Sequence, residues 1–118
     1  MSANIRIQRT NSDILKIVTT TIQQKLGNAA LQNVTVQKVE TSADFAHAKV
    51  FVDVAGTEED KQRAMAELER SAGFIRNEIA QRVKLRQTPR LRFMLDRGRE
   101  NADRVEEVLA QLNAGKKD

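Results

Sequence analysis

The 118-residue chain has no cysteine, no tryptophan and no tyrosine, and only one proline and one histidine. Without cysteine there are no disulfides and no thiolate metal sites, which suits a reducing compartment. His47 has no second histidine to join it, and Asp44 nearby is not enough to complete a metal site. The five glycines (Gly27, Gly56, Gly73, Gly98 and Gly115) are widely spaced, so there is no phosphate loop and no dinucleotide fingerprint. Ser42 and Ser71 lack a base partner, and no spacing singles out a carboxylate pair. Catalysis is therefore not expected, nor is any metal, cofactor or small-molecule substrate. The first 25 residues carry Arg6, Arg9, Asp13, Lys16 and Lys25 without a long apolar run. No signal peptide or membrane span is read, and the expectation is a soluble cytoplasmic protein without membrane contact.

Aromatic residues are limited to Phe45, Phe51, Phe74 and Phe93. Binders of single strands that use aromatic platforms gain roughly 1–3 kcal/mol per stacked base. With so few rings, any nucleic-acid contact is expected to rest on phosphates and shape more than on stacking.

What the chain has in excess is positive charge in one block. Residues 70–99 hold nine Lys/Arg against two acids, a balance of +7 within a total of +4. The other segments balance at +2 (1–57), −3 (58–69) and −2 (100–118). Such a block raises the local concentration of polyanions, and nucleic acid is the foremost candidate.

Hydrophobic periodicity orders the elements. Ile14, Val18, Ile22 and Leu26 repeat every four residues between Asn11-Ser12-Asp13, a capping signal, and Gly27, a stop. The spacing predicts a helix over 12–26. Val34, Val36 and Val39 read as a strand, and the break in alternation near Lys38 points to a bulge. After the turn cluster Thr41–Asp44, the valines at 50, 52 and 54 follow Ala46 and Ala48 in strict alternation, which predicts a second strand and an antiparallel hairpin. Thr57 and Asp60 form a capping-box signal.

The stripe Ala64, Leu68, Ala72, Ile75, Ile79, Val83 then holds one helical phase for about 25 residues. Gly73 lies in its middle and Phe74 projects off it. Two helices are expected, over 58–70 and 73–85, with a break or bend at Ser71, Ala72 and Gly73 that would bury Phe74. Thr88-Pro89 interrupts, and Leu91, Phe93 and Leu95 alternate as a third strand. Val105, Val108, Leu109 and Leu112 predict a last helix, and residues 114–118 a frayed tail. The reading is a single α+β domain over 1–113, its three-stranded sheet covered by helices.

Arg90 and Arg92 alternate with core residues and should share the outer sheet face with Lys49 and His47. Arg76 and Arg82 flank the apolar stripe and would equally serve by snorkelling over the core edge. A merely solvated basic surface is the alternative. Two functional rivals also stand: a general nucleic-acid-binding module, and a protein-interaction adaptor using the acidic stretches 58–69 and 100–112.

Three stretches together resemble the ribosome-binding factor A family: Ser71-Ala72-Gly73-Phe74-Ile75-Arg76, Arg82-Val83-Lys84-Leu85-Arg86, and Thr88-Pro89-Arg90-Leu91-Arg92-Phe93. The strand region Val34-Thr35-Val36 through Ser42-Ala43-Asp44 to Val52 is similar as well, so the likeness covers about residues 8–112. It implies a type II KH-like fold, α-β-β-α-kink-α-β with a C-terminal helix. It also implies a ribosome assembly factor that binds the small (30S) subunit and its 16S rRNA and assists late maturation and rRNA processing, including at low temperature. The family replaces the nucleotide-clamping GxxG loop of KH domains by an Ala-x-Gly helix kink. Here Ser71 stands at the Ala position, and Ser71, Ala72 and Gly73 would form the kink. Lacking the clamp, RNA contact should fall to Arg76, Arg82, Lys84, Arg86, Arg90 and Arg92, with Lys49 and Arg9 joining. A monomer is expected, since no apolar stripe is left over.

Overall fold

Two runs of β-branched residues set the centre of the molecule. The computed structural model describes residues 2–96. In it, Val34–Thr41 forms β1 and His47–Val54 forms β2. They pair antiparallel, Val34 opposite Val54 and Thr41 opposite Ala48, and the register shifts between Val36 and Lys38. The bulge expected near Lys38 is there. A third strand, β3 (Arg90–Leu95), runs parallel to β2 with Val50 opposite Phe93, giving a mixed sheet in the order β1-β2-β3. Alternation along β2 sends Ala48, Val50, Val52 and Val54 into the core and leaves His47, Lys49 and Asp53 exposed on the other face.

Helices cover the valine face. α1 spans Ser2–Thr20 and continues through a π-helical stretch, Thr21–Leu26, to Gly27, whose φ of 52° is left-handed. Glycine accepts that backbone without a Cβ penalty, so the chain stops there as its sequence predicts. Ile14, Ile17, Val18 and Ile22 are buried along it. The helix begins at Ser2, well before the expected residue 12. Asn11 does not cap it; its Oδ1 accepts instead from the Thr41 backbone N–H (2.9 Å) and the Thr41 hydroxyl (2.5 Å), tying α1 to the end of β1. A short 3-10 turn, Ala29–Leu31, leads into β1.

α2 is one helix, Glu58–Arg82, of 25 residues, roughly 38 Å long at 1.5 Å per residue. Its N-terminus carries the full capping box, with the Thr57 side chain accepting from the Asp60 N–H and the Asp60 carboxylate accepting from the Thr57 N–H. The two helices expected over 58–70 and 73–85 are thus corrected to one. The kink expected at Ser71, Ala72 and Gly73 does not divide it, because Leu68, Ile75 and Ile79 stay in a single phase and all three are fully buried. Burying an isoleucine side chain is worth about 1.5–3 kcal/mol, more than the ~1 kcal/mol that glycine costs a helix. Phe74, which a break would have buried, remains 46% exposed.

A right-handed crossover is the usual way to join parallel neighbours, and α2 provides the connection from β2 to β3. The order is therefore α-β-β-α-β. The helix expected from Val105 to Leu112 and the tail 114–118 lie outside the described residues.

Candidate nucleic-acid interface

Strand register assembles the first group of cations. On the open face of the sheet, Glu40 lies opposite Lys49, which lies beside Arg92; His47 lies beside Arg90. Lys49, Arg90 and Arg92 are all exposed there, as their alternation predicts. Lys49 and Arg92 are like charges on neighbouring strands, an arrangement that costs stability unless an anion is near. Glu40 supplies one, but its carboxylate also sits 3.4 Å from Lys38 Nζ. Lys38 in turn lies 4.7 Å from the centre of the Phe51 ring. Lys38 thus lies against the one aromatic ring on this face.

A second group forms where the α2–β3 loop meets the β1–β2 turn. The Arg90 N–H donates to the Ala46 carbonyl at 2.9 Å, joining the start of β3 to the end of the turn. Beside this junction lies a cavity of about 820 Å³, lined among others by Arg6 of α1, Asp44 and Phe45 of the turn, and Lys84 and Arg86 of the loop. The Arg6 guanidinium lies 5.9 Å from the centre of the Phe45 ring.

The turn is tightly built. The Ser42 N–H donates to the His47 carbonyl (2.8 Å) and the Phe45 N–H to the Ser42 carbonyl (2.9 Å). The Asp44 carboxylate accepts from the Ser42 hydroxyl (2.6 Å) and the Ala46 N–H (3.0 Å). These bonds, the Ser42 hydroxyl foremost, hold its pKa below the ordinary aspartate value.

Two of the remaining predicted cations, Arg76 and Arg82, have structural duties. Arg76 Nη2 donates to the Thr88 carbonyl at 2.8 Å and so anchors the loop onto α2. Arg82 lies 3.7 Å from Glu78, whose carboxylate also meets Lys25 at 2.8 Å. Glu78 is only 7% exposed. It links the π-helical end of α1 to α2 and offsets part of the Arg82 charge. Arg9 is exposed on α1 one turn beyond Arg6.

The eight predicted contacts are thus not on one surface. Lys49, Arg90 and Arg92 share the sheet face; Lys84 and Arg86 share the cavity with Arg6. The structure adds Arg6 and Lys38, which sequence reasoning missed. Among the described residues no group of three His, Asp or Glu side chains is placed to hold a metal ion, and no helix is long and apolar enough to cross a membrane.

The model of a family described as ribosome-binding factor A matches residues 6–109. A ribosome-binding factor A from Natranaerobius thermophilus is 34% identical over 113 residues, covering 96% of this chain and 86% of that protein. Among solved structures, the crystal structure of ribosome-binding factor A from Thermus thermophilus superposes with a TM-score of 0.68 at 27% identity, over 75% of this chain and 94% of that one. A Thermus thermophilus ribosome binding factor A homology model, fitted into a cryo-EM map of a 30S complex, matches with a TM-score of 0.61 at 29% identity, over 74% of this chain and 91% of that one.

Proposed function

The chain belongs to the ribosome-binding factor A family, and on that premise we propose that it is a non-enzymatic assembly factor that binds the small ribosomal subunit through its rRNA. The observation that carries the reading is the presence of two cationic groups: Lys49, Arg90 and Arg92 on the open sheet face, and Lys84, Arg86 and Arg6 at the cavity beside the β1–β2 turn. The Thermus thermophilus relative fitted into a 30S complex supports the same partner.

Contact of this kind draws most of its affinity from counterion release at phosphates. Binding energy spent on one local rRNA fold and not on its competitors shifts the population toward that fold. This is how binding alone assists late maturation and rRNA processing, and the effect matters most at low temperature, where misfolded RNA escapes slowly. The factor acts as a cytoplasmic monomer. Among the described residues, the only large apolar side chains left exposed are Ile5 and Phe74, too few for a subunit interface of ordinary size.

The test is a partner comparison. Labelled protein is titrated with small subunits, large subunits and a random RNA duplex at one salt concentration. The proposal expects small subunits to be preferred at least tenfold. Equal binding to all three would reduce the chain to a general polyanion binder.

A further inference from the structure

Phe45 has a φ of 60°, a left-handed conformation that an aromatic residue rarely adopts. It is the only non-glycine residue with positive φ among those described. Five hydrogen bonds of the turn hold it so, and the Ser42 hydroxyl serves twice, donating to Asp44 and accepting from the His47 N–H at 3.0 Å. The ring thereby lines the cavity next to the Arg6 guanidinium, and Lys84 and Arg86 line it too. A strained residue fixed by its surroundings at a cavity is a marker of function.

We propose that this cavity takes one unpaired nucleotide of an RNA strand. Its base packs against the Phe45 ring and the Arg6 plane, and its phosphates meet Lys84 and Arg86. Planar Arg and aromatic groups are the usual partners of splayed-out bases, and a volume of about 820 Å³ lies in the range of small-ligand sites. The Asp44 carboxylate also lines the cavity; its Oδ1 accepts from the Ser42 hydroxyl and the Ala46 N–H, and Arg6, Lys84 and Arg86 outnumber it there. The inference rests on the rRNA-binding reading above and sharpens it: specificity for a single-stranded position belongs to this cavity, while the open sheet face supplies sequence-blind phosphate contact.

The experiment uses the full chain with a fluorescent single-stranded RNA 12-mer and a blunt-ended duplex of the same length. Phe45→Gly removes the ring but suits a positive φ, so the fold is retained; Phe45→Asn serves as a second such variant, and thermal melts verify both. Removing one stacked base should weaken single-strand affinity about tenfold, leaving duplex affinity unchanged. A 4-thiouridine in the strand should cross-link to the β1–β2 turn in the wild type. Folded variants that bind the single strand as tightly as the wild type would overturn the cavity assignment. So would displacement of the strand by equimolar adenosine monophosphate, which would give the cavity to a free nucleotide. Small-subunit binding by the wild type is measured in parallel: if it persists while the Phe45 variants are silent, the cavity fails and the assembly-factor reading stands.

Discussion

Replacing Gly73 by alanine should stabilise this protein. Gly73 lies inside the unbroken α2, its backbone is not left-handed, and a Cβ built on it meets nothing within 4 Å. The side chain would enter solvent, so no clash or packing gain enters the balance. What remains is the helix preference of alanine over glycine, about 1 kcal/mol. For a domain of this size that corresponds to a rise in Tm of roughly 3–6 °C. Thermal melts followed by circular dichroism at 222 nm measure it. Gly27→Ala is the control: at φ 52° alanine is strained, and a loss of about 1 kcal/mol is expected. If Gly73→Ala instead lowers Tm as Gly27→Ala does, residue 73 requires glycine and the helix is interrupted there, contrary to the structure.

Glu78→Gln should cost about 1–2 kcal/mol, because it leaves Lys25 and Arg82 without a charged partner at a largely buried position. In a denaturant double-mutant cycle with Lys25→Gln, the pair should cost less than the sum of the single changes; strict additivity would exclude the coupling. Thr57→Ala should cost about 1 kcal/mol through loss of the α2 cap. Asp44 and Asp60 both have pKa values lowered by hydrogen bonds, Asp44 chiefly from the Ser42 hydroxyl and Asp60 chiefly from the Thr57 N–H. Their contribution is fully present above the ordinary aspartate pKa and is lost as pH falls through the lowered folded values. Between about pH 5 and 2 the Tm of the wild type should therefore drop more steeply than that of Asp44→Asn/Asp60→Asn, and parallel curves would refute the assignment.

Much of the sheet was legible because its signals are local. Strict alternation from Ala46 to Val54, the lost phase near Lys38, and Leu91-Phe93-Leu95 after Pro89 each specify a strand without outside help. The Thr57–Asp60 cap and the Gly27 stop were legible for the same reason. The length of α1 was not: residues 2–11 carry no apolar stripe, and the Asn11 side chain that looks like a cap is committed to Thr41, thirty positions away. A break in α2 is suggested by one glycine and one exposed phenylalanine, and the phase shared by Leu68, Ile75 and Ile79 outweighs both. At the site, Lys49, Arg90 and Arg92 are placed correctly on the outer face by alternation alone. Arg6 was missed because its cavity neighbours Lys84 and Arg86 are far away in the chain, and only the path of α1 beside the β1–β2 turn brings them together. The diversion of Arg82 to Glu78 had a visible cue in their i,i+4 spacing; the Lys25 contact had none.

The central claim is that two cationic groups hold the small subunit by its phosphates. Co-sedimentation with isolated small subunits across a salt series tests it, comparing the wild type with Arg6→Ala/Lys84→Ala/Arg86→Ala and with Lys49→Ala/Arg90→Ala/Arg92→Ala. Each triple variant should bind more weakly and flatten the log–log salt slope by about 2–3, one unit or slightly less for each phosphate contact removed. Folded variants with wild-type affinity and an unchanged slope would contradict the account.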